Sequence, residues 1–455
     1  MTSDEKRCVS FFLYRTIPSL TTYFDSSLWQ KIVLQMSCTD PAVCHAVIAL
    51  SAVNQDLERH GLPMPGSTTA GGTLHRFVLE HSMRSFGLLN KRRILKDPQL
   101  REVILVCCLL FVVLELACGH FDDATAHLQS GLAILKEMKI QHRRSKVPAI
   151  RIEESLLEAF LQLESQAAQH GVIQPTLHID NQVVYEQGYE EYLFRFQTLQ
   201  DVRQALSPIV NAGLPFLEQW WSRPEEEIMA NYGVLHTKQQ RLLSCVSQFG
   251  MHLASFHDAF YHRLTKKEQK GADMIKVMYL TMMITLKTCL YTRSCPEPAS
   301  FMGDYEELLK ESLAVMEQFQ DRPIMTVDVA ICPPLFAVAA RCPDYGTRFQ
   351  ALDALRSWPH CEGYLNSTLI ADLVVEGMKE EMRHLWTEMN TTGCLPPPGV
   401  SFESMGEEVI VHINDRLVSL EPSKALADAL SSLRTVTNWQ CVRTSGILLR
   451  KIASY

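Results

Sequence analysis

Residues 98–138 read PQLREVILVCCLLFVVLELACGHFDDATAHLQSGLAILKEM. Twelve consecutive apolar residues run from Val103 to Leu114, with Arg101 and Glu102 before them and Glu115 after. As a helix they cover about 18 Å, short of the ~30 Å hydrocarbon core of a bilayer. A helix apolar on every side must therefore be buried in protein. Gly119-His120 breaks the run, and Ala124, Leu128, Leu132 and Leu135 then recur at helical spacing. The stretch reads as a helical hairpin, locally like one tetratricopeptide-type unit. No second copy follows at a fixed period, so a single helical bundle is expected rather than a solenoid.

Outward from the hairpin the helical signals continue. Asp40-Pro41 supplies a capping side chain and a proline at the first helical position. Val43, Val47, Leu50, Val53 and Leu57 then share one face, and Gly61 follows as a left-handed stop. Residues 63–72 form a loop rich in Pro, Gly, Ser and Thr, and Thr73 opens a helix to about Asn90. Asp97-Pro98 repeats the Asp-Pro start, and Asp122 reads as a helix cap. The basic run Lys139 to Lys146, KIQHRRSK, reads as a solvated loop after a helix end, where cations are favoured; a nuclear import signal is the competing reading. Helical patterns return at 151–169, 189–208, 234–264, 271–293, 303–320, 329–341, 343–357 and 363–386, with 170–188 irregular. After the breaker Leu395-Pro396-Pro397-Pro398-Gly399, Val409 to Ile413 and Gly446 to Leu449 read as short strands. The expected fold is an all-α large helical bundle with helical hairpins and a minor irregular or β C-terminal element. Its domains are a helical body over 1–390 and a Pro-rich break with a small packed element over 391–455.

Composition narrows the function. Of 455 residues, 47% are apolar and 21% charged, as in ordinary globular proteins. The net charge of −8 argues against direct nucleic-acid contact, which a basic face normally signals. The first thirty residues carry no basic-then-apolar leader, so secretion is not expected. Fourteen cysteines are scattered through apolar segments, and no two are spaced Cys-x-x-Cys. Buried free thiols in a reducing compartment account for them better than disulfides, and a zinc site built from closely spaced thiolates is not expected.

Four segments resemble the fungal-specific transcription factor domain, the regulatory region of fungal zinc-cluster regulators. They are FDSSLWQKIVLQMSCTDPAVCHAVIALSAVNQDLERHG (Phe24 to Gly61), Val103 to Glu137, Phe160 to Ala167, and Cys332-Pro333-Pro334-Leu335-Phe336 with Ala339, Arg341, Cys342, Arg348, Ala351, Leu355, Arg356, Trp358 and Pro359. In the first, Asp40, Pro41, Ala42, Val43, His45 and Ala46 match the family's helix opening. The resemblance spans about Phe11 to Arg383. It implies a nuclear, non-enzymatic regulator or coregulator of transcription, in a secondary-metabolite setting on family grounds. Its partners would be other transcription regulators, with homo- or hetero-dimerisation and no membrane. The family's usual six-cysteine, two-zinc head has no counterpart in these residues, so autonomous sequence-specific DNA binding is not expected. An upstream exon missing from the gene model is the alternative, as is a small-molecule-binding or catalytic protein on the same scaffold.

Individual sites are weak. His45 reads as a structural histidine, with no metal or catalytic role. Asp122-Asp123 lacks the second acidic residue of a magnesium motif, since Ala126 stands at the required place. Asp258 and His262 share a helix face at i, i+4 and are the polar ligand-site candidates. Met274, Met278 and Met282 form an apolar stripe that reads first as core; the interesting alternative is a pocket for a small apolar ligand. No Gly-x-Ser-x-Gly, phosphate-binding glycine loop or His-Glu-x-x-His is present. No catalytic residue, metal or cofactor is therefore expected.

Overall fold

The structure, a computed structural model, describes residues 1–63, 73–95, 97, 99–144, 153–169, 196–221, 225–291, 299–393, 395–397, 399–405, 408–414, 416–421 and 423. The expected strand Gly446 to Leu449, the loop 64–72 and the stretch 170–188 lie outside them.

The chain opens with α1 (Ser3–Phe11), a wide π-helical turn (Phe12–Thr16) and α2 (Ile17–Leu20) in one run. Pro18 explains the wide turn, because its missing N–H cannot close a regular helical bond and its ring crowds the preceding turn. A second π-helical turn (Leu28–Ile32) leads into α3 (Val33–Thr39), followed by α4 (Pro41–His60), α5 (Thr73–Ile94), α6 (Leu100–Ala117), α7 (Phe121–Arg144) and α8 (Glu154–Gln169). Then come α9 (Leu199–Trp221), α10 (Glu225–Ala230), α11 (Tyr232–Phe260) and α12 (Lys266–Thr288). The remaining helices are α13 (Met302–Glu317), α14 (Cys332–Arg341), α15 (Tyr345–Ser357) and α16 (Ser367–Thr392).

Three large apolar clusters organise these helices. The first gathers α4, α6, α7 and α8 around the expected hairpin, with Val106, Leu110, Val112, Ala124 and Leu128 fully enclosed. Here α7 meets α8 so closely that a Cβ on Gly131 would lie 2.2 Å from Phe160 Cε1. The second joins α12 to α16 through Tyr305, Leu335, Val338, Leu352 and Val374. The third packs α9, α10 and α11 on the other face of α12 through Val202, Val246, Phe249 and Leu286.

Two small sheets complete the fold. β1 (Met325–Thr326) pairs in parallel with β2 (Cys361–Glu362), with Thr326 opposite Glu362, and β2 pairs antiparallel with β3 (Leu365–Asn366). β4 (Val400–Met405), β5 (Glu408–Ile413) and β6 (Arg416–Ser419) form an antiparallel meander. Val400, Val411 and Ile413 point from it into the second cluster, so the described part of the C-terminal element packs on the body.

The chain is mostly helical with small sheets, as the periodicity predicts, but several boundaries differ. The basic run is not a loop as far as Arg144, because α7 continues through it. Asp122 lies inside the first turn of α7 rather than at its cap, where a carboxylate also favours the helix N-terminus. Asp97 does not start α6 directly: its Oδ1 accepts from Gln99 N at 2.9 Å, and the helix opens at Leu100. The 400–419 meander extends the expected strand at Val409 to Ile413 on both sides.

Candidate functional site

Among the described residues, a concentrated buried polar site lies where the clusters meet, on β1 and β2. β2 continues from His360, so His360 and Glu362 project to one side of the strand, two residues apart. Both are buried, Glu362 completely. Glu362 Oε1 accepts from Ile331 N (2.7 Å) and His360 Nε2 (2.8 Å), and Oε2 accepts from Ala330 N (2.7 Å) and Cys332 N (3.1 Å). The carboxylate thus satisfies the orphan N–H groups at the start of α14, where the helix dipole also favours negative charge. His360 Nδ1 lies 2.7 Å from the Trp358 carbonyl, so each ring nitrogen faces an oxygen partner. The Trp358 indole stacks on the imidazole with centroids 4.5 Å apart.

Three more elements reach the same place. Asp328 Oδ1 accepts from Gln162 Nε2 on α8 (3.0 Å) and from Arg203 Nη2 on α9 (3.1 Å). Gln162 and Gln166 both donate to the Val327 carbonyl, and Ser19 Oγ on α2 donates to Met325 O. Arg203 also lies over the Phe24 ring at 4.4 Å. Burial pushes the Asp328 carboxyl above its usual range against the pull of Arg203. Burial, with Glu362 next in effect, raises the Tyr23 phenol and Cys332 thiol well above their ordinary values. Cys361 is pushed up to about 12 by burial. These thiols are protonated packing groups rather than nucleophiles. Gly363 closes the β2–β3 turn with φ +55°, and a Cβ there would sit 1.9 Å from Gln166 Oε1. These contacts are structural, although Gln166 Oε1 is buried with no hydrogen-bond partner. Together they lock α2, α8, α9 and α14 onto one short strand pair.

Arg348, one of the residues quoted for the fourth family-like segment, is a buried cation. Its Nη1 donates to Glu381 Oε2 at 2.8 Å and its Nε to the Ala339 carbonyl at 2.8 Å, tying α14, α15 and α16 together.

The polar candidates lie elsewhere. α11 ends at Phe260, so Asp258 is on its last turn and His262 in the following tighter turn, Tyr261–Arg263. Both side chains are exposed, and His262 Nε2 accepts from Arg263 Nε at 3.3 Å. The methionine stripe is split between cores: Met274 is buried in the second cluster, Met282 in the third, and half-buried Met278 packs on both. Met282 is pressed on by α9, where a Gly213 Cβ would approach its sulfur to 2.8 Å. His45 is hydrogen-bonded within the bundle, its Nδ1 2.9 Å from His81 Nδ1.

The sequence reading passed over His360, Glu362 and Asp328. The available signal was the i, i+2 polar pair in Trp358-Pro359-His360-Cys361-Glu362-Gly363, a strand-like alternation between two helical segments. Comparison with known proteins picks out the N-terminal part of the chain. Residues 7–174 match the fungal specific transcription factor domain. The match runs from within α1 past the end of α8, a shorter span than the resemblance drawn from the sequence. The chain is 28% identical over 154 residues to the transcription regulator lscL of Purpureocillium lilacinum, covering 31% of this chain and 36% of that protein. It is 22% identical over 295 residues to the aspercryptin biosynthesis cluster-specific transcription regulator atnN of Emericella nidulans, covering 62% of this chain and 46% of that one. These distant relatives are fungal transcription regulators, and the chain spans less than half the length of each. No solved structure matches. Among the described residues, no helix is long and apolar enough to cross a membrane.

Proposed function

We propose that this chain belongs to a nuclear regulator or coregulator of transcription and that these residues work through protein partners rather than by contacting DNA themselves. The observation that carries this is the transcription factor domain at 7–174, set in a helical body whose buried polar residues serve packing. The charge of −8 and the absence of any Cys-x-x-Cys among these 455 residues support an indirect route to DNA. The similarity to the Emericella nidulans cluster-specific regulator supports a secondary-metabolite gene cluster as the setting. Partner regulators, including a second copy of this chain, would be held by the helical body.

Chromatin association with and without the partner regulator tests this. Occupancy that depends on the partner, with transcripts of the locus changed on deletion, is expected. Tight binding of a specific operator by the purified chain alone, at physiological salt, would refute the partner route. Mapping the transcript 5′ end tests the same point independently, since an in-frame upstream six-cysteine exon would supply a DNA reader. Unchanged transcripts after deletion would count against regulation itself.

A further inference from the structure

Away from the central junction, three helices each contribute one metal-competent side chain to a single place. Glu5 comes from α1, His45 from α4 and His81 from α5, and one ligand atom of each lies within 4.8 Å of the other two. The two imidazoles meet Nδ1 to Nδ1 at 2.9 Å, so without a metal one of these atoms donates a proton and the other accepts it. Glu5 is held in place by a reciprocal cap. Its N–H donates to Thr2 Oγ1 at 3.2 Å, and its Oε2 accepts from Thr2 N at 2.6 Å. The other oxygen, Oε1, faces His81 Nε2 at 3.9 Å and Arg84 Nη1 at 3.6 Å, both beyond ordinary hydrogen-bond length.

We propose that Glu5, His45 and His81 form a divalent-cation site, with Zn2+ as the fitting ion and water as its fourth ligand. Two imidazole nitrogens and one carboxylate oxygen are a recurrent zinc donor set, and three protein ligands leave one position open. Zn–N bonds of 2.0–2.1 Å at a tetrahedral angle put two nitrogens about 3.4 Å apart; one ion takes one nitrogen from each ring, and Glu5 Oε1 lies toward His81 Nε2, so the rings must turn out of their Nδ1–Nδ1 contact for the three donors to converge. Burial pushes both histidines below their ordinary value, while the cap N–H of Thr2 holds Glu5 below the usual carboxylate range. Both states are those that ligate a metal. Cys8, Ile48 and Ala52, with Val9, Phe77 and Val78 against them, make an apolar bed beside the three ligands.

The opposing charges are Arg84 and the N-terminal ammonium, 3.8 Å from Glu5 Oε2. Arg84 already has a second partner in Glu80 Oε1 at 2.5 Å, and can remain there when a metal takes Glu5. The other two groups of this kind among the described residues are poorer. Cys332, His360 and Glu362 are sealed and bonded to backbone, and Glu115, His120 and Asp123 are largely exposed.

The test is Zn2+ titration of the chelator-stripped full chain, under reductant, in competition with a chromophoric chelator. One equivalent is expected to bind, with E5Q and H81N each raising Kd at least ~100-fold and H120N leaving it unchanged. Circular dichroism melts of the metal-free variants check that they fold. Co2+ substitution in the unmodified chain gives a second readout, expected to show a four-coordinate visible spectrum without a thiolate charge-transfer band. Substoichiometric binding, or binding indifferent to both E5Q and H81N, overturns the proposal. So does a thiolate band, which would assign the ion to cysteines instead.

Discussion

Replacing Glu362 by glutamine tests whether the buried carboxylate holds the clusters together. All four acceptor directions of Glu362 are in use, two donors to each oxygen. The amide is nearly isosteric, so packing is kept while chemistry changes. In one orientation the new NH2 faces the N–H groups of Ala330 and Cys332; in the other it faces Ile331 N–H and His360. Either way two buried donors lose their acceptor, at about 1–3 kcal/mol each. For two donors the loss comes to about 2–6 kcal/mol. Against a total stability of about 5–15 kcal/mol this is a large loss. Urea unfolding followed by far-UV circular dichroism should show the unfolding free energy lowered by that amount, through a lower midpoint at unchanged slope. Hydrogen exchange should quicken first in the peptide covering β1 and the start of α14, before α4 or α6. A Glu362→Gln chain within about 1 kcal/mol of the unmodified one, with unaltered exchange there, would mean the carboxylate is not what secures α14, and the reasoning fails.

Gly131→Ala should destabilise by about 1–3 kcal/mol, since its Cβ would sit 2.2 Å from the Phe160 ring; a melt matching the unmodified chain would show that α7 and α8 can separate freely. Met274→Ala should cost about 2–5 kcal/mol by leaving a cavity in the second cluster, and Met278→Ala roughly half as much, in proportion to the area it buries; chemical denaturation ranks the two. The hydrogen bond to Glu115 raises the His120 pKa above the ordinary histidine value, against the opposing effect of burial. The stabilisation is therefore complete below that ordinary value and lost as pH rises through the folded value. Because His120 is half-exposed and solvent screens the pair, it is worth no more than about 1 kcal/mol. Proton NMR should show the His120 midpoint falling in Glu115→Gln, and an unmoved midpoint would assign the shift to another group.

Much of the fold was legible because local chemistry and tertiary need coincide. At α4, the Asp40 cap, Pro41 and the inward face of Val43, Val47 and Leu50 all name the same helix, and all three apolar positions are enclosed. The Val103 to Leu114 run is buried as its apolar length demands. The π-helical turns at Phe12–Thr16 and Leu28–Ile32 were not legible, because one extra residue in a turn leaves no periodic trace. Nor was β1, two residues long, whose strand character comes entirely from pairing with a segment 36 positions later.

The candidate sites show the same division. Asp258 and His262 were visible because they are near neighbours in sequence, but spacing says nothing about where α11 stops or how exposed they are. Glu362 gains its role from the N-terminus of α14, Asp328 from α8 and α9, and His45 from Glu5 and His81 on two other helices. By itself the sequence determined the helical class, the buried hairpin at 98–138 and the family likeness, because each is written in short-range periodicity and capping. Only the tertiary structure decided which polar side chains meet. A buried carboxylate or imidazole takes its partners from groups distant in the chain, and its stability depends on desolvation and geometry that no local pattern encodes.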